Sequence, residues 1–132
     1  MESLSYLLLE AVKGTDMDIK EIQRKLSIFS KEREWDQFHT PKNLAAALSV
    51  EASELLEVFQ WLTDDQSSNL DKSQMADAEE EVADIALYLL RICDVMKIDL
   101  ESVINKKLGI NAGKYPVQEA KGNATKYNKR IK

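Results

Sequence analysis

Residues 40–62 read TPKNLAAALSVEASELLEVFQWL. Thr40 and Pro41 are a helix start: a hydroxyl that accepts from the first free amides, then a residue whose fixed φ suits the first helical position and whose missing N–H is not needed there. At about 100° per residue, Leu44, Leu48, Ala52, Leu55, Phe59 and Leu62 share one stripe. Glu51 falls within about 20° of that stripe's edge and Glu54 lies about 60° further round, with Ala47, Val50, Val58 and Trp61 bracketing both. Two acids therefore sit one turn apart inside a broad apolar face. Residues 73–97 repeat the arrangement. Val82, Ile85, Ala86, Leu89, Cys93 and Met96 form the stripe, and Glu81, Asp84 and Tyr88 run along its border, with Asp77 one turn before.

Around these two helices the chain reads as helix and connection only. Ser3–Lys13 suggests a short helix or ordered arm that ends near Gly14. Asp18, with Glu21 as capping-box partner, starts a helix to about Glu34 on Ile19, Ile22, Leu26 and Phe29. Trp35–Thr40 is a connection. The Pro41 helix ends near Leu62, Asp64–Asn69 reads as a polar loop, and the next helix runs from about Leu70 or Ser73 to Lys97. Asp99 caps a last helix that ends around Gly113, and Tyr115-Pro116 closes it. No alternating apolar pattern of useful length marks a strand. The expected fold is all-α, a bundle of four to five helices in one domain over residues 1–116. Residues 1–17 would be an arm or extra helix, and 117–132 a basic tail.

Charge is unevenly spread. Lys121, Lys126, Lys129, Arg130 and Lys132 give the last twelve residues +5, so with a net −5 the rest of the chain carries −10. An acidic body argues against a duplex nucleic acid partner. A single cysteine, Cys93, forms no disulfide within the chain and suggests a reducing, cytoplasmic setting. No run approaches the roughly 20 apolar residues of a membrane span. One histidine, His39, and one cysteine leave almost no room for a zinc site.

Burying unpaired carboxylates costs several kcal/mol each unless something compensates. Neither helix places a lysine or arginine beside Glu51, Glu54, Glu81 and Asp84; Arg91 falls on the far side from Glu81. A divalent cation is one answer, and an all-oxygen ligand set selects a hard ion, which for phosphate chemistry is Mg²⁺, with Mn²⁺ as substitute. Acids at this spacing also mark ordinary solvated faces, which is how Glu57, Glu79 and Glu80 read. A di-iron bundle wants Glu-x-x-His pairs, and the chain has none.

The order of motifs carries more. Trp35-Asp36-Gln37-Phe38-His39-Thr40-Pro41-Lys42-Asn43-Leu44 precedes Glu51-x-x-Glu54 and Phe59-Gln60-Trp61. Glu80-Glu81-Val82-Ala83-Asp84 and Tyr88 follow, then Lys107, Asn111 and Lys114-Tyr115-Pro116. From about Asp18 to Pro116 this resembles the MazG-like, all-α nucleoside triphosphate pyrophosphatases, most of all the small dCTP pyrophosphatase type. The resemblance implies that Glu51, Glu54, Glu81 and Asp84 hold Mg²⁺, with Glu51 or Glu54 as general base. It implies that Lys107, Asn111, Lys114 and Tyr115 contact the triphosphate. Trp35, His39, Asn43, Trp61 and Tyr88 would shape the pocket for base and sugar. It further implies homo-oligomers, dimers or tetramers built as dimers of dimers, that complete the core and carry sites between neighbouring subunits.

The expected reaction is hydrolysis of a nucleoside triphosphate, dCTP-like in preference, to monophosphate and pyrophosphate. Two alternatives stand beside it: a non-enzymatic helical partner protein whose acids serve an interface, and a dUTPase-like relative. Taken alone, Trp35 and Trp61 read as core aromatics, His39 as a local hydrogen-bonding group and Asn43 as part of the helix start.

Overall fold

The computed structural model describes residues 16–130. The helix expected at Ser3–Lys13 lies outside them. The described residues form six α-helices and one 3-10 turn, with no strand.

Helix α1 spans Ile19–Glu32. Asp18 caps it, Oδ1 accepting from the Glu21 amide at 3.0 Å. The expected capping box closes on that side only, because the Glu21 carboxylate takes two hydrogen bonds from Arg24, at 2.9 and 2.6 Å. The helix stops short of the expected Glu34. Glu34 adopts a positive φ of 56°, and the Trp35 amide returns to the Ser30 carbonyl at 2.9 Å.

Helix α2, Pro41–Phe59, starts as expected, with Thr40 accepting from the Asn43 amide at 3.2 Å. It ends before Leu62 because the last turn tightens, Leu62 N–H bonding Phe59 at 2.9 Å. What reads as a loop at Asp64–Asn69 contains a one-turn helix, α3, Asp64–Ser67. The cause is a reciprocal pair: Thr63 accepts from the Gln66 amide, and the Gln66 side chain accepts from the Thr63 amide. Helix α4, Lys72–Met96, starts on the same device, Asp71 with Gln74.

Helix α4 packs against both α2 and α1. Leu44, Ala78, Leu90 and Cys93 are the buried apolar side chains. Gln23, also buried, ties α1 to α4 by donating to the Leu90 carbonyl at 3.0 Å. The stripe expected on α4 is split. Cys93 turns inward and Ile85 is half-buried, but Val82, Leu89 and Met96 stay exposed. The half-buried row is Glu81, Asp84 and Tyr88, so α4 presents its acidic border, not the middle of its stripe, to the helices of its own chain.

The chain divides after Lys97 into two compact units. In the second, helix α5 spans Leu100–Lys114, capped by Asp99, which accepts from the Ser102 amide at 2.9 Å. The segment beyond, expected as a polar tail, is partly ordered into helix α6, Val117–Ala120, and a 3-10 turn, Tyr127–Lys129. The Arg130 guanidinium lies over the Tyr115 ring, pairs with Glu119 at 3.0 Å and donates to the Lys114 carbonyl. No helix among the described residues is long and apolar enough to cross a membrane.

Candidate active site

Glu51 and Glu54 stand one turn apart on α2, and Glu81 and Asp84 one turn apart on α4. Packing α2 on α4 brings the two pairs face to face. Glu51, Glu81 and Asp84 each offer a carboxylate oxygen, and these three atoms lie within 4.8 Å of one another. Glu54 is outside that trio but stands next to Glu51 closely enough to shift its carboxyl. Sharing of a proton with the Glu54 side chain, then burial and the nearby charges of Glu54 and Asp84, push the Glu51 carboxyl up to about 7. Burial first, and then Glu54, push Glu81 upward as well. Glu57, Glu79, Glu80 and Asp77 are exposed, so the first three lie on solvated faces and Asp77 does not extend the half-buried row.

A cation fits this arrangement on the structure's own terms. Among the described residues none of the four carboxylates takes part in an ion pair. Oε2 of Glu81 is buried with no hydrogen-bond partner. A buried carboxylate oxygen without a donor is costly, and a hard divalent ion is the partner an all-oxygen group takes.

Beside the carboxylates lies a cavity of about 160 Å³ between α1, α4 and the connection after α1. Trp35, His39, Tyr88 and Asp84 line it, with Phe29, Ser30 and Arg91 among the rest. Trp35 meets Phe29 edge to face at 5.7 Å between ring centres and lies 6.2 Å from the His39 ring. Three of the five residues expected to shape a base pocket are thus gathered. Asn43 is elsewhere, its side-chain amide donating to the Phe38 carbonyl at 2.9 Å. Trp61 is 87% exposed.

Expected on the far side of α4 from Glu81, Arg91 lies only about 80° from it, since ten residues turn about 100° each. It lines the cavity, since Asp84, Tyr88 and Arg91 follow one another at i, i+4 and i+7 along α4. That spacing was the available signal. In the second unit, Lys107, Asn111 and Lys114 share a face of α5 by the same rule. Lys114 and Tyr115 are engaged by the following segment: the Lys114 ammonium stands 4.8 Å from the Tyr127 ring centre, and the Tyr115 and Tyr127 rings meet at 6.0 Å.

A model of the MazG-like family matches residues 46–129, which include all four carboxylates and the α5 residues. The chain belongs to the MazG-like family. This MazG-like chain is 37% identical over 116 residues to dCTP pyrophosphatase 1 of Bos taurus, covering 86% of the chain and 69% of that relative. It is 36% identical over 111 residues to dCTP pyrophosphatase 1 of Homo sapiens, covering 83% of the chain and 65% of that relative. The chain thus spans about two thirds of the length of these mammalian relatives. Among solved structures it resembles a pyrophosphatase from Archaeoglobus fulgidus DSM 4304, with a TM-score of 0.72 and 36% identity, covering 80% of this chain and 99% of that one.

Proposed function

We propose that this chain is a Mg²⁺-dependent nucleoside triphosphate pyrophosphohydrolase, converting a (d)NTP and water to the monophosphate and pyrophosphate, with a dCTP-like deoxynucleotide as preferred substrate. One observation carries the reading. Asp84 belongs both to the carboxylate group and to the lining of the aromatic cavity, so a metal-bound polyphosphate and a planar base can be held side by side. The dCTP pyrophosphatase relatives and the archaeal pyrophosphatase support the substrate class.

Glu51, Glu54, Glu81 and Asp84 would hold the metal, which supplies neutralisation of phosphate charge and polarisation of the attacked phosphoryl group. Phosphoryl transfer asks mainly for positioning and charge compensation, so no serine or cysteine nucleophile is needed. Glu51 or Glu54 takes the proton from the attacking water at the α-phosphorus. Trp35 and Tyr88 border the base, and His39 offers it a ring nitrogen. Asn43, Trp61, Lys107, Asn111, Lys114 and Tyr115 are assigned to substrate through the family resemblance: the first two to the nucleoside, the others to the triphosphate. Trp61, so exposed in one chain, fits a site completed by a second copy in a homodimer or tetramer.

The test is a product assay. With Mg²⁺ and each common nucleoside triphosphate, phosphorus NMR is expected to show monophosphate plus pyrophosphate, fastest with dCTP. Diphosphate plus phosphate would overturn the α-phosphorus assignment. Glu54→Ala and Asp84→Ala should each lower turnover by more than about 100-fold while the helical circular dichroism is kept. Turnover surviving in both would sink the carboxylate assignment.

A further inference from the structure

Arg91 is the charged residue among the buried side chains of the described structure, 7% exposed. Its guanidinium is a permanent donor, with no acceptor atom and no accessible neutral form. Nε–H is aimed at Nδ1 of His39, at 3.0 Å. The Ser30 hydroxyl reaches the same nitrogen at 3.3 Å. A ring nitrogen that receives Nε–H must present its lone pair, so Nδ1 carries no proton. In a neutral imidazole the proton then sits on Nε2. A doubly protonated ring would set two N–H groups against each other at 3.0 Å.

Acids hold the guanidinium from two other sides. Nη2 pairs with Asp36 at 2.9 Å, from the same connection as His39, and Nη1 lies 3.5 Å from Asp94, one turn on along α4. The fork is fixed, and through it the ring. His39 and Arg91 both line the cavity that reaches Asp84. With Nδ1 occupied, Nε2 is the ring nitrogen left for a ligand.

We propose that Arg91 is a positioning residue for base recognition: it holds His39 as the Nε2–H tautomer, so the ring offers a hydrogen-bond donor and selects a nucleobase edge carrying an acceptor, a ring carbonyl or an unprotonated ring nitrogen. The choice of ligand rests on the nucleotide reading above; the tautomer does not. Arg91 also pins the connection after α1 to α4, so its loss has a structural consequence that the test must separate.

His39 is the chain's one histidine, so its ring nitrogens are read without assignment in full-length protein labelled with 15N-histidine. The wild type is expected to show an unprotonated Nδ1 and a protonated Nε2. Arg91→Met should give a mixture of tautomers, and Arg91→Lys, which keeps a donor, should restore much of the wild-type pattern. A proton on Nδ1 in the wild type overturns the proposal whether or not any variant folds. So does an unchanged tautomer in folded Arg91→Met, which would make Ser30 the controlling partner. In steady-state assays with the preferred triphosphate, Arg91→Met should raise KM about tenfold and change kcat little. In a His39→Gln background, where the side chain has no tautomer to fix, the same substitution should change KM less than about twofold. Equal losses in both backgrounds would mean a structural role only and overturn the proposal. A wild type that hydrolyses no nucleoside triphosphate retires the enzymatic reading, while the nitrogen spectrum still decides the tautomer.

Discussion

At the scale of single residues, the site is a place where the fold tolerates charge it does not itself neutralise. Glu81 shows this most directly, with one oxygen buried and unpartnered and its carboxyl pushed upward by burial. Glu81→Gln should therefore raise the melting temperature of metal-free protein and remove most of the further rise that Mg²⁺ gives the wild type. A variant less stable than wild type without metal would show that the carboxylate is satisfied in some other way. His39 makes the opposite case, a titrating group kept neutral. Burial, and then the Arg91 charge, hold its pKa below the ordinary 6.5 against a smaller pull from Asp36. Since the folded form disfavours the proton, the unfolded chain binds more of it between the two pKa values, and stability falls as pH drops. The contribution is fully present above about 6.5 and is lost as pH falls toward the folded value. Titration by NMR should place His39 below 6.5, and Arg91→Met should move it up. A wild-type midpoint above 6.5 would contradict the buried, donor-facing ring.

At the scale of elements, the sequence was most legible where a local rule decides alone. Thr40-Pro41 and Asp99 start helices where side-chain caps require it, and helical spacing sets Glu51 with Glu54, and Glu81 with Asp84, one turn apart on their own helices. The rest depended on which neighbour a face would meet. Val82 and Leu89 belong to the apolar stripe of α4, yet the chain's own helices cover the acidic border beside it, and no periodicity within one helix reveals that. For Arg91 the spacing to Asp84 and Tyr88 gives the face, but its role depends on where the connection after α1 lies. The helix at Asp64–Ser67 was hidden by its polarity, although Thr63 and Gln66 carry the capping-box spacing. The end of α4 supports a prediction of its own. Lys97 holds a left-handed conformation, φ 58°, that closes the helix with its amide on the Cys93 and Asp94 carbonyls. An L side chain is strained there and glycine is not, so Lys97→Gly should stabilise the protein by about 0.5–1 kcal/mol. Equilibrium denaturation checks the sign, and a destabilised variant would mean that the Lys97 side chain makes contacts worth more than the strain.

At the scale of the whole molecule, the described residues bury few apolar side chains for the number they carry. Leu56, Trp61 and Val82 are 62%, 87% and 54% exposed, and Leu89 and Met96 continue the uncovered face along α4. Isolated soluble chains rarely leave contiguous apolar surface beyond a few hundred Å² without a use for it. A second copy of the chain is the simplest cover, since a self-complementary two-fold contact buries the same face twice. The expected result is a sedimentation mass that is a multiple of the chain's, with a melting point that rises with protein concentration. Leu89→Glu separates this reading from a monomer that carries an apolar surface. On a monomer the substitution adds a solvated charge to a partly exposed position and should change stability by less than about 0.5 kcal/mol. At a buried contact it places an unpaired carboxylate in apolar surroundings on both sides of the interface, a cost of several kcal/mol per site. The variant should then sediment as a smaller species and melt lower, independently of concentration. It should also bind Mg²⁺ if the carboxylate group is complete within one chain, because Glu51, Glu81 and Asp84 converge there without a partner's help. A dissociated variant that still shows metal-dependent stabilisation but has lost turnover would place the metal in one subunit and the rest of the substrate's contacts in another. An unchanged oligomer would exclude the Leu89 face and leave Leu56 and Trp61 on the α2 side as the surface to test by the same substitution.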